Sequence, residues 1–188
     1  MKLHSLRTTL LAASIGLAVT CAGQTGAIAY TGVNLLKNGD FSHGQDNWTL
    51  DIQAPVTAAA EVVTAGPKSG SRALHLVATK VLPTSKWGSE ISLNQPVAIL
   101  DGKRYRLTFW AKSNAATAIA VTCKQNHAPW SHHAPESAEL YPTLTNEWQL
   151  ISMPFSIPAD GNMLINISNL AKTAGQEFWF ADFLLESD

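Results

Sequence analysis

Period-two alternation of apolar and polar residues runs through most of this chain and limits what it can fold into. The clearest instance is Tyr105-Arg106-Leu107-Thr108-Phe109-Trp110-Ala111. Successive side chains of an extended backbone point to opposite sides. Tyr105, Leu107, Phe109 and Ala111 therefore share one side, and Arg106, Thr108 and Trp110 the other. The same pattern predicts strands at Asn34–Phe41, Trp48–Gln53, Ala59–Thr64, Arg72–Thr79, Glu90–Ile99, Lys103–Lys112, Thr117–Gln125, Ser137–Leu144, Glu147–Ile157, Met163–Leu170 and Glu177–Glu186. Turn-forming pairs separate the runs: Asn38-Gly39, Gly66-Pro67, Asp101-Gly102 and Asp160-Gly161. No window carries a sustained helical period. Many short strands in one unit predict an all-β, antiparallel two-sheet sandwich.

The first 29 residues read as a signal peptide. Lys2 and Arg7 precede an apolar run from Leu10 to Thr20, and Ala27-Ile28-Ala29 supplies a small-x-small cleavage site before Tyr30. The expected destination is the periplasm or the exterior. That apolar run is shorter than the roughly 20 residues that cross a bilayer, and no second one follows, so a spanning protein is not expected. Cys21 opens a lipoprotein alternative, for which Ala18-Val19-Thr20 is a poor preceding sequence. Residues 30–188 then form one domain, a length that builds a core without disulfides. The formal charge of the whole chain is −1, and without Lys2 and Arg7 it is −3. No basic stripe for nucleic acid is present. Removal of Cys21 leaves Cys123 alone, on the parity of Ile119 and Val121, where a buried small apolar group is the expectation.

The order of landmarks resembles the carbohydrate-binding modules of the family 4/9 and 22 type. The resembling residues are Asn34-Leu35-Leu36-Lys37-Asn38-Gly39-Asp40-Phe41 with Trp48, then Gly70-Ser71-Arg72-Ala73-Leu74 and Trp87-Gly88-Ser89-Glu90-Ile91. The central run Gly102–Lys112 follows, and then His127-Ala128-Pro129-Trp130, Glu147-Trp148-Gln149, Phe155 and Phe178–Leu185. The resemblance implies a jelly-roll sandwich with a galactose-binding-like fold. It also implies non-catalytic binding of a polysaccharide or oligosaccharide in a groove on the concave sheet.

The residues point the same way by their chemistry. A sugar ring offers an apolar face of C–H groups and an edge of hydroxyls, so its site needs aromatic planes and polar side chains. Trp87 and Trp130 lie in polar loops and are the expected stacking planes. Glu90, off the parity of Ile91, together with Gln125, His127 and Asn166 would bond the hydroxyls. Asn166 and Ser168 alternate with Ile165 and Ile167 and read equally well as a solvated strand face. Trp48, Trp148 and Trp179 sit in apolar strands and are expected in the core. Trp110 faces either the groove or a covering loop.

Related modules often hold a structural calcium ion with an acidic residue after the first-strand Phe and another in the last strand. Ser42 and Ala181 stand in those places here, so that site is expected to be weak or absent and no cofactor is expected. Parity would turn Asp40 and Asp182 to the other side. His127, His132 and His133 match no tight zinc spacing. A glycan hydrolase using Glu90 with Glu136 or Glu139 is the enzymatic alternative, and a structural or adhesive envelope subunit is another. A monomer, with separate glycoside hydrolases as possible partners, completes the expectation.

Overall fold

A computed structural model describes residues 29–82, 91–128, 137–170 and 172–188. Among the described residues there are strands and turns and no helix. The strands are β1 (Thr49–Ile52), β2 (Thr57–Val63), β3 (Ala73–Lys80), β4 (Ile91–Ile99), β5 (Tyr105–Ser113) and β6 (Thr117–Ala118). They continue as β7 (Ala120–Gln125), β8 (Ala138–Leu140), β9 (Thr143–Leu144), β10 (Gln149–Phe155), β11 (Gly161–Ser168) and β12 (Glu177–Ser187). One five-stranded sheet has the order β1-β4-β11-β7-β8, and a second has the order β10-β5-β12-β3-β2. All pairings are antiparallel, and the two sheets form the expected sandwich. A short ladder of β6 with β9 lies outside both sheets.

Alternation builds the core directly. Ile91, Leu93, Val97 and Ile99 of β4, Val121 and Cys123 of β7, and Met163, Ile165 and Ile167 of β11 face inward from the first sheet. Tyr105, Leu107, Phe109 and Ala111 of β5 and Phe178, Phe180 and Leu185 of β12 answer from the second. Burial pushes the Cys123 thiol up to about 12.

One expected strand is absent. Residues 34–41 form turns, with Asn38 at φ 51° and Phe41 at φ 55°. A strand cannot continue through two left-handed residues. The segment is instead tied down by side chains that imitate a neighbouring strand. Gln95 accepts from the Lys37 amide at 2.6 Å and donates to the Lys37 carbonyl at 3.0 Å. Asn34 donates to the Phe183 carbonyl at 2.8 Å and accepts from the Leu185 amide at 3.0 Å. Gly39 passes so near the Phe183 carbonyl that a Cβ would collide with it. These ties seat Phe41 in the core beside Trp48, whose ring centroid lies 4.5 Å from that of Phe183.

The second correction is a bulge in β12. Ala181 pairs with Trp110, yet Leu184 pairs with Thr108, so one extra residue interrupts the alternation. Asp182 occupies the break at φ 51°, and Phe183 turns inward to stack on Phe109 with centroids 4.7 Å apart.

Candidate functional site

The outer side of the first sheet carries a row of polar residues across all five strands. Register places Thr49 beside Asn94, Asn94 beside Asn166, Asn166 beside Thr122 and Thr122 beside Glu139. Each sits off the apolar parity of its strand. Asn166 donates to Asn94 Oδ1 at 2.5 Å and accepts from the Thr122 hydroxyl at 3.3 Å, while Asn94 donates to Ser92 Oγ at 3.1 Å. Asn166 is 3% exposed, and Asn94, Thr122, Ser92 and Ser168 are buried with it. The solvated-face expectation for Asn166 and Ser168 is thereby corrected. Buried amides hold fixed orientations because each lost hydrogen bond inside a protein is costly.

Charged groups flank this row. Asp51 lies beside Ser92, and Lys124 lies beside Leu164 on the same side of the sheet. Burial holds the Lys124 ammonium below its ordinary range, partly offset by the Asp51 carboxylate. Glu139 accepts from the Tyr141 hydroxyl at 2.8 Å, a bond that raises the Tyr141 pKa.

The remaining sequence-predicted residues are distributed as follows. Gln125 is half-buried and pairs with Met163, which puts it on the inner side, away from Asn166. Its Oε1 is buried without a donor. His127 is exposed just beyond β7, with Nδ1 2.7 Å from the Ala128 carbonyl. Trp87, Glu90 and Trp130 lie outside the described residues, as do Glu136, His132 and His133. Their described flanks are informative. The segment with Trp87 and Glu90 enters the first sheet at Ile91, and the segment with Trp130 leaves it after Gln125 and returns at Ala138. Ile91 and the row of Gln125, Met163 and Val97 are six positions apart along β4, or roughly 20 Å. The polar row lies between them. Asn94, Thr122 and Thr49 were missed by sequence reasoning, although Asn94 off the parity of Leu93 was a usable signal.

Trp48 is buried before β1 as expected, and Trp110, Trp148 and Trp179 lie in or next to strands of the second sheet. Trp148 and Trp179 are half-buried, not core as expected. Trp179 sits in an outer row with Glu61, His75 and Lys112. His75 stacks on it at 4.5 Å, and the Lys112 ammonium lies 4.7 Å from its ring and 5.3 Å from that of Trp148. His75 also meets Glu177 at 2.7 Å. An apolar strand with two sides hands its aromatics to whichever partners reach it, and here those are a cation and an imidazole. Trp110 lines a cavity of about 470 Å³ on this same outer side.

Asp40 and Asp182, the acids near Ser42 and Ala181 where the resemblance implies calcium ligands, both line that cavity. The bulge overturns the parity argument for Asp182, which lines the cavity together with Trp110 and Leu184. The oxygens nearby are nevertheless engaged. Asp182 Oδ2 is 3.2 Å from the Lys68 ammonium, and the Ser42 carbonyl accepts from the Arg72 guanidinium. Asp40 Oδ1 accepts from the Ser42 amide and hydroxyl, and the Gly39 carbonyl accepts from the Phe183 amide. Among the described residues no group of three or more His, Cys, Asp or Glu side chains is placed to hold a metal. A calcium ion needs six to eight oxygens, and the Lys68 ammonium beside the half-buried Asp182 carboxylate opposes it, so this donor set does not fit.

A β-sandwich with an ordered polar row on one outer side and aromatics on the other belongs to the class of small binding domains. The comparisons narrow the class. Residues 33–168 match the family model described as a carbohydrate binding domain, of the 4/9 type, and the chain belongs to that family. A solved structure titled "CBM4 structure and function" is 26% identical, with a TM-score of 0.60, over 81% of this chain and 99% of that one. The CBM22-1 xylan-binding domain of Paenibacillus barcinonensis Xyn10C is 13% identical, with a TM-score of 0.58, over 85% and 97%, and shares the fold. The same fold recurs in an arabinose-bound arabinofuranosidase, 17% identical with a TM-score of 0.59, where 83% of this chain covers 26% of that one. No curated protein matches the chain. Family membership carries carbohydrate binding as the function of the domain. The family match ends at Ser168, yet β12 lies between β5 and β3 and completes the second sheet. Among the described residues no helix is long and apolar enough to cross a membrane.

Proposed function

We propose that the protein binds a β-linked polysaccharide, such as a glucan, xylan or mannan, along the outer side of the first sheet and does not cut it. The observation that carries this reading is the polar row Thr49–Asn94–Asn166–Thr122–Glu139, buried at its three central members and exposed at both ends, together with the two segments containing Trp87 and Trp130 that join this sheet at Ile91, Gln125 and Ala138. In this reading Trp87 and Trp130 stack on sugar rings. Glu90 and the exposed His127 bond sugar hydroxyls. Asn166 orients the polar floor, whereas Gln125, on the inner side, is left without a direct role. An open site of this kind gives modest affinity, because hydroxyls exchange one set of hydrogen bonds with water for another.

Affinity electrophoresis in gels containing xylan, mixed-linkage β-glucan or mannan tests the proposal. Trp87→Ala and Trp130→Ala should each weaken binding about ten-fold or more, the size of one aromatic hot spot. Retained binding in the double variant would discard the site. Reducing ends accumulating with the protein, and ceasing in Glu90→Gln, would establish a hydrolase instead. We also propose export, with removal of residues 1–29. N-terminal sequencing should then begin at Tyr30, and a lipid-modified Cys21 would replace that reading.

A further inference from the structure

We propose a second carbohydrate site at Trp110, on the outer side of the second sheet, shaped for a single sugar unit or chain end. It rests on the carbohydrate-binding reading above but occupies the opposite face of the sandwich. The cavity is about 470 Å³, towards the small end of the range for small-molecule sites. Its floor is apolar. Trp110 is half-buried, and its cross-strand neighbours are Leu150, which is 56% exposed, and Ala181, which is only a methyl. Directly across from Trp110, β12 contributes only the Ala181 methyl, with Leu184 further along the same side.

The walls are polar and already ionised in opposite senses. Asp182 Oδ2 is buried, and its contact is the Lys68 ammonium at 3.2 Å, a side chain that is itself 74% exposed. Asp40, also lining the cavity, is held below the ordinary carboxylate range by the Ser42 amide and hydroxyl. Asn38 and Thr108 complete the rim. A sugar ring needs an apolar plane for its C–H face, acceptors for paired hydroxyl donors, and a donor for hydroxyl or ring oxygens. Trp110 with Leu150, the two carboxylates, and Lys68 supply these in turn.

The bulge makes the site possible. In an unbroken β12 the residue after Ala181 would point into the core, and a carboxylate there would be excluded. The extra residue brings Asp182 out to the side of Trp110. The turns of residues 34–41 line the site on one flank and Lys68 lines it on another, which suits a single sugar unit or chain end. Stacked sheets lie about 10 Å apart, so two sites on opposite outer sides engage different chains or a main chain and a branch. The protein would thereby bridge polysaccharide strands, and each occupied site would raise the effective concentration of the other.

Cellobiose, xylobiose and mannobiose are titrated into the labelled protein, with amide chemical shifts as the readout. Expected perturbations at one or more of these sugars fall on Thr108, Trp110, Leu150 and Asp182. Trp110→Ala and, because Leu150 is exposed and safe for folding, Leu150→Asp should each weaken that response ten-fold or more. Both variants should keep polysaccharide binding in gels. The Trp87→Ala, Trp130→Ala variant should keep the disaccharide response at Trp110. No disaccharide shift at these four residues, with polysaccharide binding intact, would overturn the second site alone. Loss of every carbohydrate response in the unsubstituted protein would overturn the carbohydrate reading itself and the second site with it.

Discussion

Asn166→Ala is expected to destabilise the fold by about 2–4 kcal/mol, although Asn166 contributes nothing to the apolar core. The substitution removes the donor that reaches Asn94 Oδ1 at 2.5 Å and the acceptor for the Thr122 hydroxyl at 3.3 Å. Both orphaned groups stay buried. Each buried unsatisfied polar group costs about 1–3 kcal/mol, and the longer Thr122 bond belongs at the low end because a hydroxyl can rotate. For a chain of this length the melting temperature should fall by roughly 5–15 °C. Urea denaturation measures the loss directly, with m unchanged if only the native network is affected. A double-mutant cycle with Asn94→Ala separates the network from simple truncation. Once Asn166 is gone, removing Asn94 should cost about 1–2 kcal/mol less than it does alone. A single-variant loss below about 0.5 kcal/mol, or a strictly additive cycle, would refute the idea that the row is a coupled buried network.

Millimolar calcium should leave the melting temperature unchanged, because the Lys68 ammonium already meets Asp182 and the Ser42 carbonyl is bonded by Arg72. A rise of several degrees that a chelator reverses would contradict this, since a native-state ligand at 100 times its Kd adds about 2.7 kcal/mol. Asp40 should titrate below 3.8, with the Ser42 amide and hydroxyl as the cause, so its contribution is present above that value and lost as pH falls through the lowered one. Carboxyl NMR titration of Ser42→Ala should show the midpoint moving up toward 3.8, and a midpoint at or above 3.8 in the unsubstituted protein would contradict the assignment. With its thiol raised to about 12 by burial, Cys123 should react with a disulfide reagent at pH 8 only as fast as the protein opens, and prompt labelling of native protein would count against it.

Strand existence was legible in the sequence because alternation is a local property: a side chain's side is set by its neighbours two positions away. Ten of the eleven expected strand segments contain strand residues at the expected place, although Thr117–Gln125 and Ser137–Leu144 each break into two. The family resemblance was legible for the same reason, since its landmarks are short runs in a fixed order. What the local pattern could not say is which neighbour each strand would acquire. Residues 34–41 look like a strand, but the Gln95 side chain, 58 positions on, satisfies the Lys37 amide and carbonyl, and the Asn34 side chain bonds the β12 backbone 149 positions on, so Asn38 and Phe41 can turn. Trp148 and Trp179 look like core residues, yet Lys112 and His75 cover them on an outer side that only the pairing of β12 with β5 and β3 creates. A single extra residue at Asp182 flipped the inward parity of β12 from Phe178 and Phe180 before it to Phe183 and Leu185 after it. The inward and outward sides of each strand are thus written in its own residues, whereas the company those sides keep is decided by long-range pairing and by where the register slips.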